Sequence, residues 1–271
     1  MAEILTAAQR VVLARHIARP GTADFIAALF TDFFEQKGDR QNREDPSILG
    51  GIALYKGHPV TVIGHRKGKT LEENVAYNFG MPGPEGYRKA QRLMDQAEKF
   101  KRPVITFVDT PGAYPGLEAE ARGQGEAIAS SLALMSSLTV PVVTVVIGEG
   151  GSGGAVALAV ADKIAMLENA VYSILSPEGF ASILWKDSSR AKEAASLMKM
   201  TADEVKQYGI IDQVIPEPNG SADLSPQETA EGIRAFLSAS LEELSAMSLE
   251  ELLERRYSRF RSMGQEYIDY L

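Results

Sequence analysis

The chain has 271 residues, 45% of them hydrophobic and 24% charged, with a formal net charge of −8 and no cysteine. That length can bury a substantial core; the acidic balance argues against general nucleic-acid binding, which needs a basic footprint; and without cysteine there are no disulfides or thiolate metal sites within the chain. Apolar runs reach only about eight or nine residues, short of the roughly 20 that a membrane-spanning helix needs, and no secretory leader pattern opens the sequence, so a soluble, cytoplasmic protein is expected.

In chain order, a helix is expected over 3–18, ended by Pro20-Gly21. Its Arg10, Arg15 and Arg19 are read as part of a docking helix in preference to a transit peptide. Thr22 and Asp24 offer an N-cap for a second helix, ADFIAALFTDFFE, whose apolar residues recur at helical spacing. ILGGIALYKGHPVTVIGH reads as two strands joined through Lys56-Gly57. After a Gly/Pro-rich loop, YRKAQRLMDQAEKF puts Tyr87, Ala90, Leu93, Met94, Ala97 and Phe100 on one helical face. Its Arg88, Lys89 and Arg92 are read as a solvated face, although they have the charge to meet phosphates. PVITFVD is a buried strand leading into the loop DTPGAYPG. A helix over 122–137 and a second buried strand, PVVTVVIG, follow. The turn EGGSGG then opens a helix AVALAVA. Short strands KIAMLE and AVYSIL, helices over 177–185 and 189–199, a capping box at Thr201 and Glu204, and a last strand IIDQVI complete this part. From Ser225 onward the pattern is helical, with starts at Ser225-Pro226 and Ser248 and an apolar seam of Leu253, Tyr257, Phe260 and Tyr267. Strands alternating with helices imply an α/β domain over about 20–215 with helical ends.

Three motifs compete for the function. VIGHRKGKT imitates a phosphate-binding loop, but Gly64 and Gly68 are too close in sequence, Ile63 holds the position the first glycine should occupy, and breakers at Gly80, Pro82, Gly83 and Pro84 follow soon after Thr70. No nucleotide is expected at Lys69, and the basic cluster His65, Arg66, Lys67 and Lys69 reads as a solvated loop. Gly150-Gly-Ser152-Gly-Gly154 matches a nucleophile elbow. That chemistry needs a histidine after the serine, and His16, His58 and His65 all precede it. The third reading needs no nucleophile. Gly153 and Gly154 open a helix whose first N–H groups lack internal partners. Glycine there lets a ligand oxygen approach the backbone, as an oxyanion hole requires. Gly112 and Ala113, in DTPGAYPG, offer a second loop of the same kind, while Gly150, Gly151 and Ser152 shape the first.

NFGMPGPEGYRKAQRLMDQAEKF, FVDTPGAYPGLEAEARGQGEAIA, VVIGEGGSGGAVALAVAD and ENAVYSILSPEGFASILWKD together resemble the α-subunit family of the acetyl-CoA carboxylase carboxyltransferases of bacteria and plastids. The similarity runs from about Arg19 to Pro218. It implies a crotonase-like superhelix of β-β-α units, with residues 20–218 as the carboxyltransferase domain, 1–19 as an N-terminal docking helix and 219–271 as a C-terminal helical extension. It implies transfer of a carboxyl group from carboxybiotin, borne on a biotin carboxyl carrier protein, to acetyl-CoA, giving malonyl-CoA for fatty-acid synthesis. It also implies a β-subunit partner of the same fold in an α2β2 assembly, with biotin carboxylase in the full complex and no metal, membrane or nucleic acid bound by this chain. The resemblance puts the biotin ureido oxygen at the backbone amides of Gly153 and Gly154, with Gly112 and Ala113 as the other wall. Many relatives have a longer helical N-terminus, and a zinc ribbon carried by the β subunit in bacterial complexes is absent here.

Two other classes stay open at this level. A hydratase or isomerase acting alone on enoyl-CoA needs an acid/base carboxylate near the loops, and Glu118, Glu120, Glu126 and Glu149 are near in sequence. A purely scaffolding role is the other.

Overall fold

The computed structural model describes residues 5–265. Helix α1 (Ala7–Ala14) starts at a capping box in which Thr6 and Gln9 satisfy each other's backbone N–H groups. It stops at Arg15, short of residue 18; residues 3 and 4 of the expected helix lie outside the described residues. Helix α2 (Thr22–Leu29) is also shorter than its periodicity suggests. Phe30 turns extended and Asp32 takes φ 54°, so TDFFE becomes strand β1 (Thr31–Glu35), the edge of the sheet, antiparallel to β2 (Ile48–Tyr55). Helix-like spacing of two phenylalanines is outweighed here by a ladder of backbone hydrogen bonds.

The expected hairpin forms. Strand β2 pairs with β3 (His58–His65) from Ile48↔His65 to Tyr55↔His58. Lys56 and Gly57 both take positive φ, 49° and 81°, the twist that a two-residue hairpin turn requires. From β3 the sheet continues in parallel through β4 (Val104–Thr110), β5 (Val142–Gly151), β6 (Lys163–Leu167) and β8 (Gln213–Ile215), with the short β7 (Val171–Ser173) pairing the end of β5. Every residue of β4 and β5 is buried, as expected of parallel strands covered on both faces.

The crossovers supply the cover. After the one-turn α3 (Leu71–Ala76), α4 (Pro84–Lys99) packs on β2 and β3 and against α6 (Gln124–Ser137), which follows the short α5 (Leu117–Ala121). The predicted face of α4 holds from Tyr87 to Ala97, whereas Phe100 is exposed. The same helix corrects the solvated-face expectation. Lys89 is fully buried, bonded to the Glu44 carboxylate and to the carbonyls of Asp45 and Ile48, and Arg88 and Arg92 donate to the carbonyls of Arg122 and Gly38. The helix read over AVALAVA is in fact the single turn α7 (Ser152–Val156). Just beyond it the Leu158 carbonyl accepts from the hydroxyls of Thr106 and Thr144.

Helices α8 (Pro177–Trp185), α9 (Ala191–Leu197) and α10 (Ala202–Gln207) follow, α10 from the predicted box at Thr201 and Glu204. Helix α11 (Pro226–Ser245) sends Ile233, Phe236 and Leu237 into the main core. Its Ser225 does not cap it; the hydroxyl bonds the Pro218 and Ser221 carbonyls. Helix α12 (Leu249–Ser262) begins at the predicted Ser248–Glu251 box, but its inner face is Leu252 and Arg256, with Phe260 packed at the edge. Tyr257 is 65% exposed, so the predicted seam is rotated, and Tyr267 lies outside the described residues. Arg256 takes the inner position by pairing with Asp162 at 2.7 Å and donating to the carbonyls of Met135, Leu138 and Val140.

Candidate active site

Strands β4 and β5 lie side by side, with Thr110 opposite Gly150, so the loops that leave them are neighbours at the carboxyl edge of the sheet. The loops touch backbone to backbone. A Cβ at Gly151 would stand 2.2 Å from the Pro111 carbonyl oxygen, and one at Gly154 would stand 2.5 Å from the Ala113 nitrogen. No side chain fits either place, so these glycines answer to close approach. Gly112 (φ 153°) donates its N–H to Thr110 Oγ1 at 3.0 Å, and that hydroxyl donates back to the Gly112 carbonyl at 2.7 Å.

Gly153 differs from its neighbours. A Cβ there would meet only Ile128 among the described residues, at 3.7 Å, so its face is open. Exposed Ser152, at φ 51°, turns the chain into α7 beside it. Both border a groove of about 650 Å³ whose walls include Val156, Tyr172, Leu175 and Phe180.

The other motifs are engaged elsewhere. The N–H groups of Gly68 and Lys69 donate to the side chains of Asn74 and Glu73 on α3, and the Lys69 ammonium meets the Arg19 carbonyl and Asp24. The loop is thus folded onto its own short helix, which Thr70 caps. The basic cluster is no solvated loop. Arg66 pairs with Glu35, and His65 is fully buried, accepting from the Asp109 N–H at 3.4 Å. Burial presses the His65 pKa down to about 3, so the imidazole is neutral. His16 pairs with Asp223.

Charges meet below the two loops in an arrangement the sequence did not reveal. The Lys67 ammonium lies 2.8 Å from Asp109 at the end of β4 and 2.8 Å from Glu149 at the end of β5. Asp109 also accepts the Glu149 N–H at 3.0 Å, and Arg15 reaches Glu149 at 2.7 Å and Glu178 at 2.8 Å. Burial alone would raise the pKa of Glu149; the charges of Lys67 and Arg15 outweigh it and hold the carboxyl below its ordinary range. An ionised, doubly paired carboxylate is a poor proton donor. Of the other carboxylates weighed for acid/base work, Glu118, Glu120 and Glu126 are exposed. Lys67 lies 42 and 82 residues from its two partners, a separation at which no local pattern signals contact.

The family described as acetyl co-enzyme A carboxylase carboxyltransferase-like matches residues 1–264. The acetyl-coenzyme A carboxylase carboxyl transferase subunit alpha of Clostridium acetobutylicum is 59% identical over 261 residues, 96% of this chain and 95% of that one. The subunit of the same name from Bacillus cereus is 57% identical over 256 residues, 94% and 79% of the two chains. Among solved structures, a transcarboxylase 12S chain matches with a TM-score of 0.69 at 19% identity, over 90% of this chain and 45% of that one. The β subunit of geranyl-CoA carboxylase from P. aeruginosa gives 0.64 at 16%, over 88% and 46%. A chain of a Pseudomonas malonate decarboxylase hetero-tetramer gives 0.65 at 18%, over 82% and 89%. These likenesses bear on the fold, and the expected crotonase-like α/β architecture is the one observed.

Proposed function

Because the chain belongs to the acetyl co-enzyme A carboxylase carboxyltransferase-like family, we propose that its paired glycine loops are the working half of a carboxyl-transfer site. The chain is a carboxyltransferase of the α-subunit type, making malonyl-CoA from acetyl-CoA for fatty-acid synthesis, and it works with a β subunit. The α2β2 stoichiometry, the biotin carboxyl carrier protein, biotin carboxylase as a further component and a cytoplasmic setting belong to the proposal. So do the limits of the catalytic unit, residues 20–218, with 1–19 and 219–271 as helical flanks. Among the described residues no helix is long and apolar enough to cross a membrane.

Carboxybiotin, held on its carrier, supplies the activated carboxyl group. The residues here suit such a group: the side-chain position of Gly153 is unoccupied and meets only Ile128 among the described residues, and the groove beside it is mainly apolar, as a flat bicyclic ring would require. The N–H groups of Gly153 and Gly154, in the first turn of α7, would hold the ureido oxygen and supply the donors that negative charge on it requires. On the facing wall Gly112 donates within its own loop, so the donor proposed there is the Ala113 N–H. Gly150, Gly151 and Ser152 give the loop its path. A second oxygen, on the thioester, needs its own donors, which is the physical reason for a partner with loops of its own.

The observation that carries this reading is the backbone contact of two glycine loops beside the open side-chain position of Gly153. Its test is reconstitution. The chain mixed with its β partner should move the carboxyl group from malonyl-CoA to biocytin, and neither chain alone should do so. An assembled but inactive mixture would contradict the reading. The hydratase alternative is disfavoured by the paired state of Glu149, and turnover of enoyl-CoA by the isolated chain would restore it.

A further inference from the structure

The strand ends from which the two loops leave share one cation. Lys67 lies two residues beyond the end of β3, the strand next to β4. Its ammonium group is equidistant, at 2.8 Å, from Asp109 and Glu149, the residues that lead into the two glycine loops. Asp109 and Glu149 are themselves tied by the Glu149 N–H, and Gly148 is required there because a Cβ would strike the Asp109 carboxylate at 2.4 Å. Without the ammonium, two carboxylates would face each other at the floor of the site. We propose that Lys67 is a positioning residue: one cation clamps the last acidic residue of each strand and so sets the spacing of the two loops. The groups facing the clamp are Arg15 from the end of α1, on Glu149; Glu178 from α8, on Arg15; and the neutral His65 from β3, whose Nδ1 takes the Asp109 N–H. Lys67 opens on one side to a charged cavity of about 610 Å³. Its charge stays on because both acids raise its pKa against the opposing effect of burial.

The kinetic consequence rests on the carboxyl-transfer reading; the structural one does not. In the assembled complex, Lys67→Met should speed hydrogen exchange about tenfold or more in the segments 109–116 and 149–157 together, with α9 and α10 unchanged. It should lower kcat about 100-fold, the effect of a misplacement of about 1 Å, with little change in KM for malonyl-CoA. Lys67→Arg should recover most of the loss. The ratio of variant to wild-type kcat should rise as pH falls, because protonating one carboxylate relieves the repulsion left by the missing cation. Asp109→Asn should reproduce the paired change in exchange, and the double variant should be no worse than Lys67→Met alone. Unchanged exchange in either loop overturns the inference, as does a retained kcat in an active complex. An inactive wild-type mixture would instead defeat the carboxyl-transfer reading, and the exchange result alone would then decide on the clamp.

Discussion

Neighbouring glycines in one loop answer to different forces, and substitution separates them. Gly154→Ala places a methyl 2.5 Å from a backbone nitrogen, so it should lower the melting temperature by several degrees, as overpacking does. Gly153→Ala meets only ordinary contact and should leave the melting temperature within about a degree. Equal shifts in a thermal scan would contradict this division. The motif EGGSGG was legible in the sequence as a loop, but which glycine serves packing and which leaves an open face depends on Pro111 to Ala113, about 40 residues upstream. His65 offers a second test at this scale. The unfolded chain takes up its proton near pH 6.5 and the folded chain only near 3, so stability is lost as pH falls through this window. The loss from this group is about 1.4 kcal/mol per pH unit. His65→Asn, which keeps an acceptor for the Asp109 N–H, should flatten the slope of unfolding free energy between pH 6 and 4 by that amount. Parallel slopes would rule the buried neutral imidazole out.

At the scale of elements, local signals did best where they were self-contained. The Lys56-Gly57 hairpin, the buried runs at β4 and β5 and the boxes at Thr201 and Ser248 all formed where the sequence placed them. They failed where a distant partner decided. Strand β1 was hidden by helix-like spacing because its pairing with β2 lies outside the segment, and the chain leaving α7 is held at the Leu158 carbonyl by hydroxyls of β4 and β5. The face of α12 was misread because an arginine sits at its centre, and no hydrophobicity pattern places arginine inside. That residue is testable. Arg256→Met would leave Asp162 buried with its Val142 N–H but no cation. Breaking such a pair should cost about 3–5 kcal/mol in urea unfolding. A loss below about 1 kcal/mol would mean that α12 docks through Leu252 and Phe260 alone.

For the molecule as a whole, the sheet brings Lys67, Asp109 and Glu149 together at the ends of three adjacent parallel strands, β3, β4 and β5, and the two glycine loops leave from that floor. The two loops were legible as turns leaving buried strands; the floor was not, since ion pairs across strands carry no sequence period. On the proposed reading, a chain of this design would offer one wall of donors and leave the rest to its β subunit. The isolated chain should accordingly leave enoyl-CoA unchanged over hours, as followed by thioester absorbance. The measurement that bears most directly on the proposed site is the rate of carboxyl transfer from malonyl-CoA to biocytin by the assembled complex carrying Gly153→Val. A Cβ there meets only Ile128 among the described residues, at 3.7 Å, and the two methyl branches beyond it take up space beside the amide. A fall of about 10²–10³-fold in kcat, with assembly and melting temperature retained, is the predicted result. Wild-type turnover in that complex would contradict the claim that the Gly153 amide faces the developing negative charge.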